Sequence, residues 1–317
     1  MIRFNYIVTI HNGEDKLAQV LQGLRRVVRS SSAIYTVLDG CTDGSEAVVD
    51  EHVAVLNAPV VKLYAPNVHE LRSINIGLRA ANQDGTAYNI ILQDDVVLQD
   101  PQFEEHVESL YRQIPNLGYV SFRLGAHLAP DVLTGSSATP YTSYIESRYG
   151  HGLASAEPLD PGWFAFRTVP IKSPVCLPSY LLRTIGGYDE RLAPYGHDDP
   201  ELAIRAIQSG FVNGVFALPF ESPLDWGATR KKPDPNMENI VSRNMNYIRD
   251  WHRAEIAELV RSTPAITKMQ VIPFSATELA SVALRWERAR AAYDQYRTRR
   301  EGIRSRLVKR VRRLLHV

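Results

Sequence analysis

The chain has 317 residues and a formal net charge of +1, and its 44% apolar and 22% charged residues are typical of a globular protein. Its two cysteines, Cys41 and Cys176, exclude a disulfide scaffold and a cysteine metal cluster, and they fit a reducing compartment. No stretch approaches the roughly 18–20 consecutive apolar residues of a membrane span. The first residues, MIRFNYIVTIHNGED, lack the layout of a signal peptide, so we expect a cytoplasmic protein.

The first hundred residues alternate between strand-like and helix-like segments. Segments rich in β-branched and aromatic residues predict strands at 4–10, 33–40, 60–65 and 86–95. Apolar residues at helical spacing predict helices at 16–28, 42–53 and 70–82. The alternation predicts an α/β fold in which helices cover both faces of a mostly parallel sheet.

Polar residues follow three of the predicted strands. They are Thr9 to Asn12, Asp39 to Asp43, and the adjacent pair Asp94 and Asp95 after the run YNIILQ. Ligands of open α/β sheets bind beyond the carboxyl ends of the strands, so these residues are expected to converge on one cleft. Two carboxylates at the end of a buried strand also need compensation, because an unpaired buried charge is costly.

The rest of the chain is less regular. Residues 125–180 are rich in Gly, Pro, Ser and Tyr without a clear period, which predicts a long irregular segment with a functional role. We expect a short helix and a Gly-Gly turn in PSYLLRTIGGYDERL, and a helix with acids in its first turn in DDPELAIRAIQSGF. Helical patterns then cover about 236–262 and 275–317.

Four stretches together resemble the family 2 glycosyltransferases with the GT-A fold. They are YIVTIHN, VLDGCTDGS, LQDDV and GGYDERLAPYGHDDPELAIR, in this order within residues 4–222. The resemblance implies a Rossmann-like sheet flanked by helices, with a nucleotide-sugar donor lying over the strand ends. We therefore predict a GT-A domain at 1–235, with its donor half at about 1–100 and its acceptor half at about 101–235, and a helical extension at 236–317.

The resemblance places donor-binding residues after the first strands. Asp39 matches the second acid of the family's DDGSTDGT pattern, which reads the nucleotide base, and Leu38 replaces the first acid, which leaves the donor open. Thr9 and His11 match positions that line the nucleoside pocket. Arg72 is a candidate for contact with the diphosphate or the base. The alternatives are a turn with a helix cap for Asp39 and a solvated helix residue for Arg72.

The acidic pair resembles the family's metal-binding DxD motif. Asp95 matches the last acid of the motif, and Gln93 stands where an acid often does. Asp94 occupies the middle position and is a further candidate for the donor site. The resemblance implies Mn²⁺ or Mg²⁺ on Asp95, because a hard divalent cation prefers oxygen ligands. It would bridge to the donor diphosphate and neutralise the leaving group. The alternative is a strand end with two solvated acids.

The stretch HDDPELAIR, at 197–205, matches the helix start where family members carry a general base. We predict Asp199 as that base and Asp198 as a residue that orients the acceptor or shares the task. In-line attack with one base implies inversion at the anomeric carbon. The alternative is a helix cap whose acids complement the dipole. Trp163 and Trp226 are candidates for stacking on acceptor sugars, or core aromatic residues.

The last 22 residues, 296–317, hold nine Arg or Lys and one Glu, so the other 295 residues carry a net charge of −7. Apolar residues in 303–315 form one stripe on a predicted helix whose other faces are mostly arginine. Such a helix is typical of attachment to an anionic membrane surface. The alternatives are docking on the chain's own acidic body and a contact between copies in an oligomer. No nucleic-acid reading motif accompanies the basic charge.

The leading hypothesis is an inverting, metal-dependent hexosyltransferase. It would move a sugar from a nucleoside diphosphate donor, with a UDP-sugar favoured, to a glycan or lipid-linked acceptor in cell-surface polysaccharide synthesis. The enzyme would then be cytoplasmic, with possible attachment to the inner face of the plasma membrane. One alternative is a catalytically inactive glycan-binding or membrane scaffold relative. The other is a sugar nucleotidyltransferase, although TIHNGEDKL lacks the Gly-rich basic loop typical of that class.

Overall fold

A computed structural model describes residues 3–29, 31–81, 87–135, 140–226, 236–262 and 268–314, with the backbone alone at 262 and 300–314. The alternation predicted for the first hundred residues is confirmed. The elements there are β1 (Phe4–Ile10), α1 (Glu14–Val27), β2 (Ser32–Asp39), α2 (Ser45–Val53), β3 (Val60–Ala65), α3 (His69–Ala80) and β4 (Tyr88–Gln93). Every residue of β1 and β2 is buried, as expected for strands covered on both faces.

Residues 125–180 are not a long irregular segment, contrary to the prediction. After β5 (Val97–Leu98), α4 (Phe103–Gln113) and β6 (Leu117–Ser121), the chain forms β7 (Leu124–Leu128), β8 (Tyr141–Ser147), β9 (Glu157–Leu159), β10 (Trp163–Phe166), β11 (Val169–Ile171) and β12 (Val175–Pro178). The strands β9 to β12 have only three or four residues each, which is too short for an alternating pattern to be recognised.

The remaining elements are mostly helical, as predicted. They are α5 (Ser179–Ile185), a 3₁₀ turn (Glu190–Leu192), α6 (Asp198–Gln208), β13 (Val212–Phe216), β14 (Phe220–Glu221), α7 (Met237–Trp251), α8 (Arg253–Ser262), β15 (Lys268–Gln270) and α9 (Ala276–Leu314). None of the described helices is both long enough and apolar enough to cross a membrane.

The main sheet has nine strands in the order β15-β10-β13-β6-β12-β4-β1-β2-β3. The four strands from β4 to β3 are parallel, whereas β12 runs antiparallel to both β4 and β6. Thr9 is in register with Val37 of β2 and Gln93 of β4. The carboxyl ends of β1, β2 and β4 therefore lie side by side. The strands β11, β7, β8 and β9 form a separate four-stranded sheet.

Apolar residues fill the space on both faces of the main sheet. Tyr6 and Val8 of β1 face the cluster that contains α1, whereas Ile7 faces the cluster that contains α3. Gly77 allows α3 to lie directly on β1, since a Cβ atom at this position would be only 2.4 Å from Ile7 Cγ2. This close approach fixes the helix that carries Glu70, a residue of the candidate site.

The segment after 235 packs on the rest of the fold. Met245, Ile248 and Ile256 are buried in the cluster that contains α3, and β15 pairs with β10 at the edge of the main sheet. Sequence patterns did not predict this strand. The division at 235 stays a prediction. The helix α9 reaches Leu314, and the side chains of the basic stripe predicted for 303–315 lie outside the described residues.

Candidate active site

The ends of β1, β2 and β4 are joined by hydrogen bonds from His11. Its backbone N–H donates to Asp94 Oδ2 at 3.1 Å. Its Nδ1 lies 2.6 Å from the backbone oxygen of Asp39. Three of the predicted donor-site residues therefore meet at one edge of the sheet, as the strand order requires. The fourth, Thr9, lies just before them in β1 and donates a hydrogen bond to Leu92 O at 3.4 Å.

Asp39 is 3% exposed and one of its carboxylate oxygens is already engaged. Its Oδ1 accepts a hydrogen bond from Val68 N at 2.6 Å, which ties the end of β2 to the segment after β3. The next residue, Gly40, has φ of +62° and begins the turn. A cavity of about 220 Å³ opens beside this turn and is lined by Leu38, Gly40, Cys41, Asp43, Glu46, Tyr64 and Ala65. This contact anchors the end of β2, and the role of Asp39 toward a nucleotide base stays a prediction.

Asp94 is compensated by Lys16 of α1. The Lys16 ammonium lies 3.5 Å from Asp94 Oδ1, and these side chains are only 8% and 16% exposed. Burial raises the pKa of Asp94, while Lys16 and the His11 N–H act in the opposite direction. The same ammonium donates to the backbone oxygen of Trp226 at 3.1 Å. Sequence analysis missed this partner, because the lysine lies in an amphipathic helix where solvated charges are common.

Asp95 lies close enough to Glu70 of α3 for the two carboxylates to interact electrostatically. Asp95 is 7% exposed. Glu70 Oε1 accepts a hydrogen bond from Gln93 Nε2 at 2.7 Å, so the amide that replaces the usual first acid of the motif binds another carboxylate. Burial raises the pKa of Glu70, the Lys172 ammonium acts in the opposite direction, and the negative charges of Asp199 and Asp95 raise it further. Glu70 therefore interacts electrostatically with both the donor-side acid and the predicted base.

The two acids at the start of α6 have different surroundings. Asp198 is engaged at both oxygens, since Oδ1 accepts from Gly196 N at 2.9 Å and Oδ2 pairs with the Lys172 ammonium. Asp199 Oδ1 accepts from Tyr119 OH at 2.6 Å, and Oδ2 accepts from Lys172 N at 3.2 Å. The side chain of Asp199 is 12% exposed, against 3% for Asp198. Asp199 is therefore the more accessible acid.

Lys172 is a site residue that sequence analysis missed. It follows β11 directly, and its ammonium lies 3.8 Å from Glu70 Oε1 and 3.9 Å from Asp199 Oδ1 in addition to its ion pair with Asp198. It stands in IKSPVC, within the stretch predicted to be irregular. No motif in that stretch distinguishes this lysine from a solvated one.

The other predicted residues contact groups outside this set of acids. The Arg72 side chain is 49% exposed, and its Nε lies 3.9 Å from Glu190 Oε2. Trp163 of β10 packs against a small cluster that includes Val215 and Ala217. Trp226 packs against the main core and reaches the site through its backbone oxygen, which Lys16 binds. Their roles toward donor and acceptor stay predictions.

A metal ion at this site would need oxygen atoms from a bound ligand. Among the described residues, no group of three or more His, Cys, Asp or Glu side chains is placed to hold a metal. A buried carboxylate such as Asp95 nevertheless suits Mg²⁺ or Mn²⁺, because Mg²⁺ is commonly held by one or two carboxylates together with substrate phosphates. The residues present therefore fit a cation that arrives with a diphosphate.

The chain is similar to several known proteins. Residues 6–120 match the model of glycosyl transferase family 2, and no curated protein matches the sequence. Among solved structures, S. aureus TarS 1-349 in complex with UDP-GlcNAc is 13% identical, with a TM-score of 0.49, over 96% of this chain and 92% of that one. The Pyrobaculum calidifontis mannosyltransferase PcManGT, in complex with GDP-Man and Mn²⁺, is 17% identical, with a TM-score of 0.46, over 93% of this chain and 82% of that one.

A third solved structure has a TM-score above those of the two structures just described. GalNAc-T7 with UDP, GalNAc and Mn²⁺ is 11% identical, with a TM-score of 0.58, over 80% of this chain and 50% of that one. In the longer structure of TarS the match spans 44% of that chain. The likeness to GalNAc-T7 supports the predicted fold, and the family match confirms the resemblance found in the sequence. The chain thus has a GT-A fold, and its residues 6–120 match the model of glycosyl transferase family 2.

Proposed function

We propose that this chain is an inverting, metal-dependent glycosyltransferase that uses a nucleoside diphosphate sugar, with a UDP-sugar as the first candidate. The acceptor would be a glycan or a lipid-linked sugar in cell-surface polysaccharide synthesis. One observation carries the proposal: Gln93 at the end of β4 donates to Glu70 at 2.7 Å, and the Lys172 ammonium lies 3.8 Å from Glu70 and 3.9 Å from the predicted base Asp199, so the donor-side strand end and the base lie close together. The distance and order of these residues in the chain are those implied by the family resemblance.

The donor would lie over the ends of β1, β2 and β4. Its base would occupy the region of Thr9, His11 and Asp39, next to the cavity of about 220 Å³ at the end of β2. Its diphosphate would lie toward Asp94 and Asp95. The Lys16 ammonium already offsets the charge of Asp94, so the approach of an anionic ligand is less unfavourable than two bare carboxylates would make it.

A divalent cation would be held by Asp95. When bound, it would neutralise negative charge on the diphosphate leaving group. The solved structures of GalNAc-T7 and PcManGT contain Mn²⁺, which makes Mn²⁺ the first cation to test with this chain. Mg²⁺ is the second.

Asp199 would accept the proton of the acceptor hydroxyl. The acceptor oxygen then forms a bond to the anomeric carbon while the bond from that carbon to the diphosphate oxygen breaks. The nucleoside diphosphate leaves with the bonding electron pair, and the anomeric configuration inverts. The Asp199 side chain is 12% exposed against 3% for Asp198, which pairs closely with the Lys172 ammonium, and this difference favours Asp199 as the base. General bases of this kind contribute about 10²–10⁴ in rate.

A thermal-shift experiment tests the donor site. Nucleoside diphosphates and their sugars are added to the full chain with Mn²⁺, with Mg²⁺, or with a chelator. A ligand at a hundred times its dissociation constant should stabilise the protein by about 2.7 kcal/mol. We expect one diphosphate to do so only with metal, and Asp95→Ala to abolish the effect. The control is Asp50→Ala, which changes an exposed acid of α2.

Two results would separate the alternatives. Absence of stabilisation by every nucleotide would remove the donor-site argument. Stabilisation without metal-dependent hydrolysis of the donor sugar would favour a catalytically inactive glycan-binding relative. If hydrolysis occurs, Asp199→Asn should reduce it about 10²-fold or more, whereas ligand binding should persist.

A further inference from the structure

The Lys172 ammonium lies inside a group of acidic side chains. It pairs with Asp198 and lies 3.9 Å from Asp199 Oδ1 and 3.8 Å from Glu70 Oε1. Its own side chain is 9% exposed, so water screens these interactions only weakly. Asp95 adds a further negative charge that acts on Glu70.

The same residue holds Asp199 at a second point. The backbone N–H of Lys172 donates to Asp199 Oδ2 at 3.2 Å, while its ammonium approaches Oδ1. The ammonium also lies 5.4 Å from the centre of the Tyr188 ring, which limits its movement on that side. One residue therefore restrains both oxygens of the predicted base, through a main-chain donor and a side-chain charge.

The groups that face Asp199 come from several elements. They are Tyr119 of β6, Tyr141 of β8, Tyr188 before the 3₁₀ turn, Glu70 of α3, Lys172 after β11 and the neighbouring Asp198. Of these, the three tyrosines are neutral near pH 7 and the two acids add negative charge. Lys172 is the cation of this set, and its charge offsets the mutual repulsion of the acids.

We propose that Lys172 is a positioning residue that holds the Asp199 carboxylate in place and offsets the negative charge of the acids around it. This inference rests on the proposed function only in naming Asp199 as the base. The lysine does not need to touch either substrate. Its effect follows from its charge and from its two contacts with one carboxylate.

The test compares Lys172→Met with Lys172→Arg in the full chain. Carboxyl ¹³C resonances of aspartate-labelled protein are titrated, and the Asp199 signal is identified by its loss in Asp199→Asn. The Met variant should move the protonation midpoint of Asp199 upward by about one pH unit or more relative to the unchanged chain. The Arg variant keeps the charge and should stay close to the unchanged chain. Lys268→Met, which removes an exposed partner of Glu157, is the matched control.

Activity gives the second measurement. The acid limb of the pH profile of donor hydrolysis should move to higher pH in Lys172→Met and not in Lys172→Arg. If the Met variant does not fold, Lys172→Gln replaces it, because the amide retains a donor for Asp198. An unchanged titration midpoint in a folded, uncharged variant would overturn the proposal. A moved midpoint in a chain that hydrolyses no donor would instead retain the role of Lys172 and count against the proposed function.

Discussion

Removing the Lys16 ammonium should leave a carboxylate buried at the end of β4. Lys16→Met keeps most of the side-chain volume and removes the charge that lies 3.5 Å from Asp94 Oδ1. It also removes the hydrogen bond to the backbone oxygen of Trp226. Asp94 would retain the hydrogen bond from His11 N. The substitution therefore tests whether the acidic strand end depends on this one cation.

The expected loss of unfolding free energy is about 3 kcal/mol at pH 7, the lower end for removing one partner of a buried pair. The lower end applies because Asp94 is 16% exposed and keeps one donor. The pKa of Asp94 is already raised in the folded chain, mainly by burial. The folded state then binds the Asp94 proton more tightly than the unfolded state does. The ionised Asp94 carboxylate therefore lowers the unfolding free energy at pH 7, and this loss decreases as the pH falls. Without Lys16 the decrease of the loss at low pH should be larger.

Urea denaturation at pH 7 and pH 5 provides the measurement. The deficit of Lys16→Met relative to the unchanged chain should shrink at pH 5, and the double variant with Asp94→Asn should recover most of the loss at pH 7. Lys268→Met, which removes an exposed pairing partner of Glu157, should cause little loss. A deficit of equal size at both pH values, or no recovery in the double variant, would refute the electrostatic reasoning.

Three further predictions concern buried positions elsewhere in the fold. Glu104→Gln should raise the unfolding free energy at pH 7, and by less at pH 5, because burial raises the pKa of Glu104. The amide oxygen can still accept the hydrogen bond from Tyr6. A lower unfolding free energy at pH 7 in urea denaturation would contradict this. Gly77→Ala should lower the unfolding free energy by about 1–3 kcal/mol, because its Cβ would lie 2.4 Å from Ile7 Cγ2; a raised melting temperature would argue against the close packing. The buried His127 ring, whose pKa is lowered to about 4 by burial, should stay neutral down to pH 5 in a proton NMR titration, and a midpoint near its ordinary value of 6.5 would be inconsistent with that burial.

The donor half of the fold could be predicted because its signals are local. Each of the strands β1 to β4 is a run of at least six residues, and the acids stand directly at strand ends. Parallel strand order then brings distant residues such as His11 and Asp94 together without further information. The helix bearing Asp198 and Asp199 also has a local signature.

The partners of those acids could not be predicted in the same way. Glu70, Tyr119 and Lys172 come from three elements, and nothing in their immediate sequence distinguishes them from surface residues. Their meeting depends on β12 running antiparallel between β4 and β6, which no local pattern encodes. The strands around Lys172 have only three or four residues each, so their pairing could not be recognised in the sequence.

The edge strand β15 has a consequence for synthesis of the chain. It covers the outer edge of β10, but it is translated about a hundred residues after β10. At about 5–20 residues per second, the edge of β10 stays open for roughly 5–20 s after it emerges. An open strand edge is a template for pairing with other chains. Nascent chains that stop before Lys268 should therefore self-associate more readily than the finished protein.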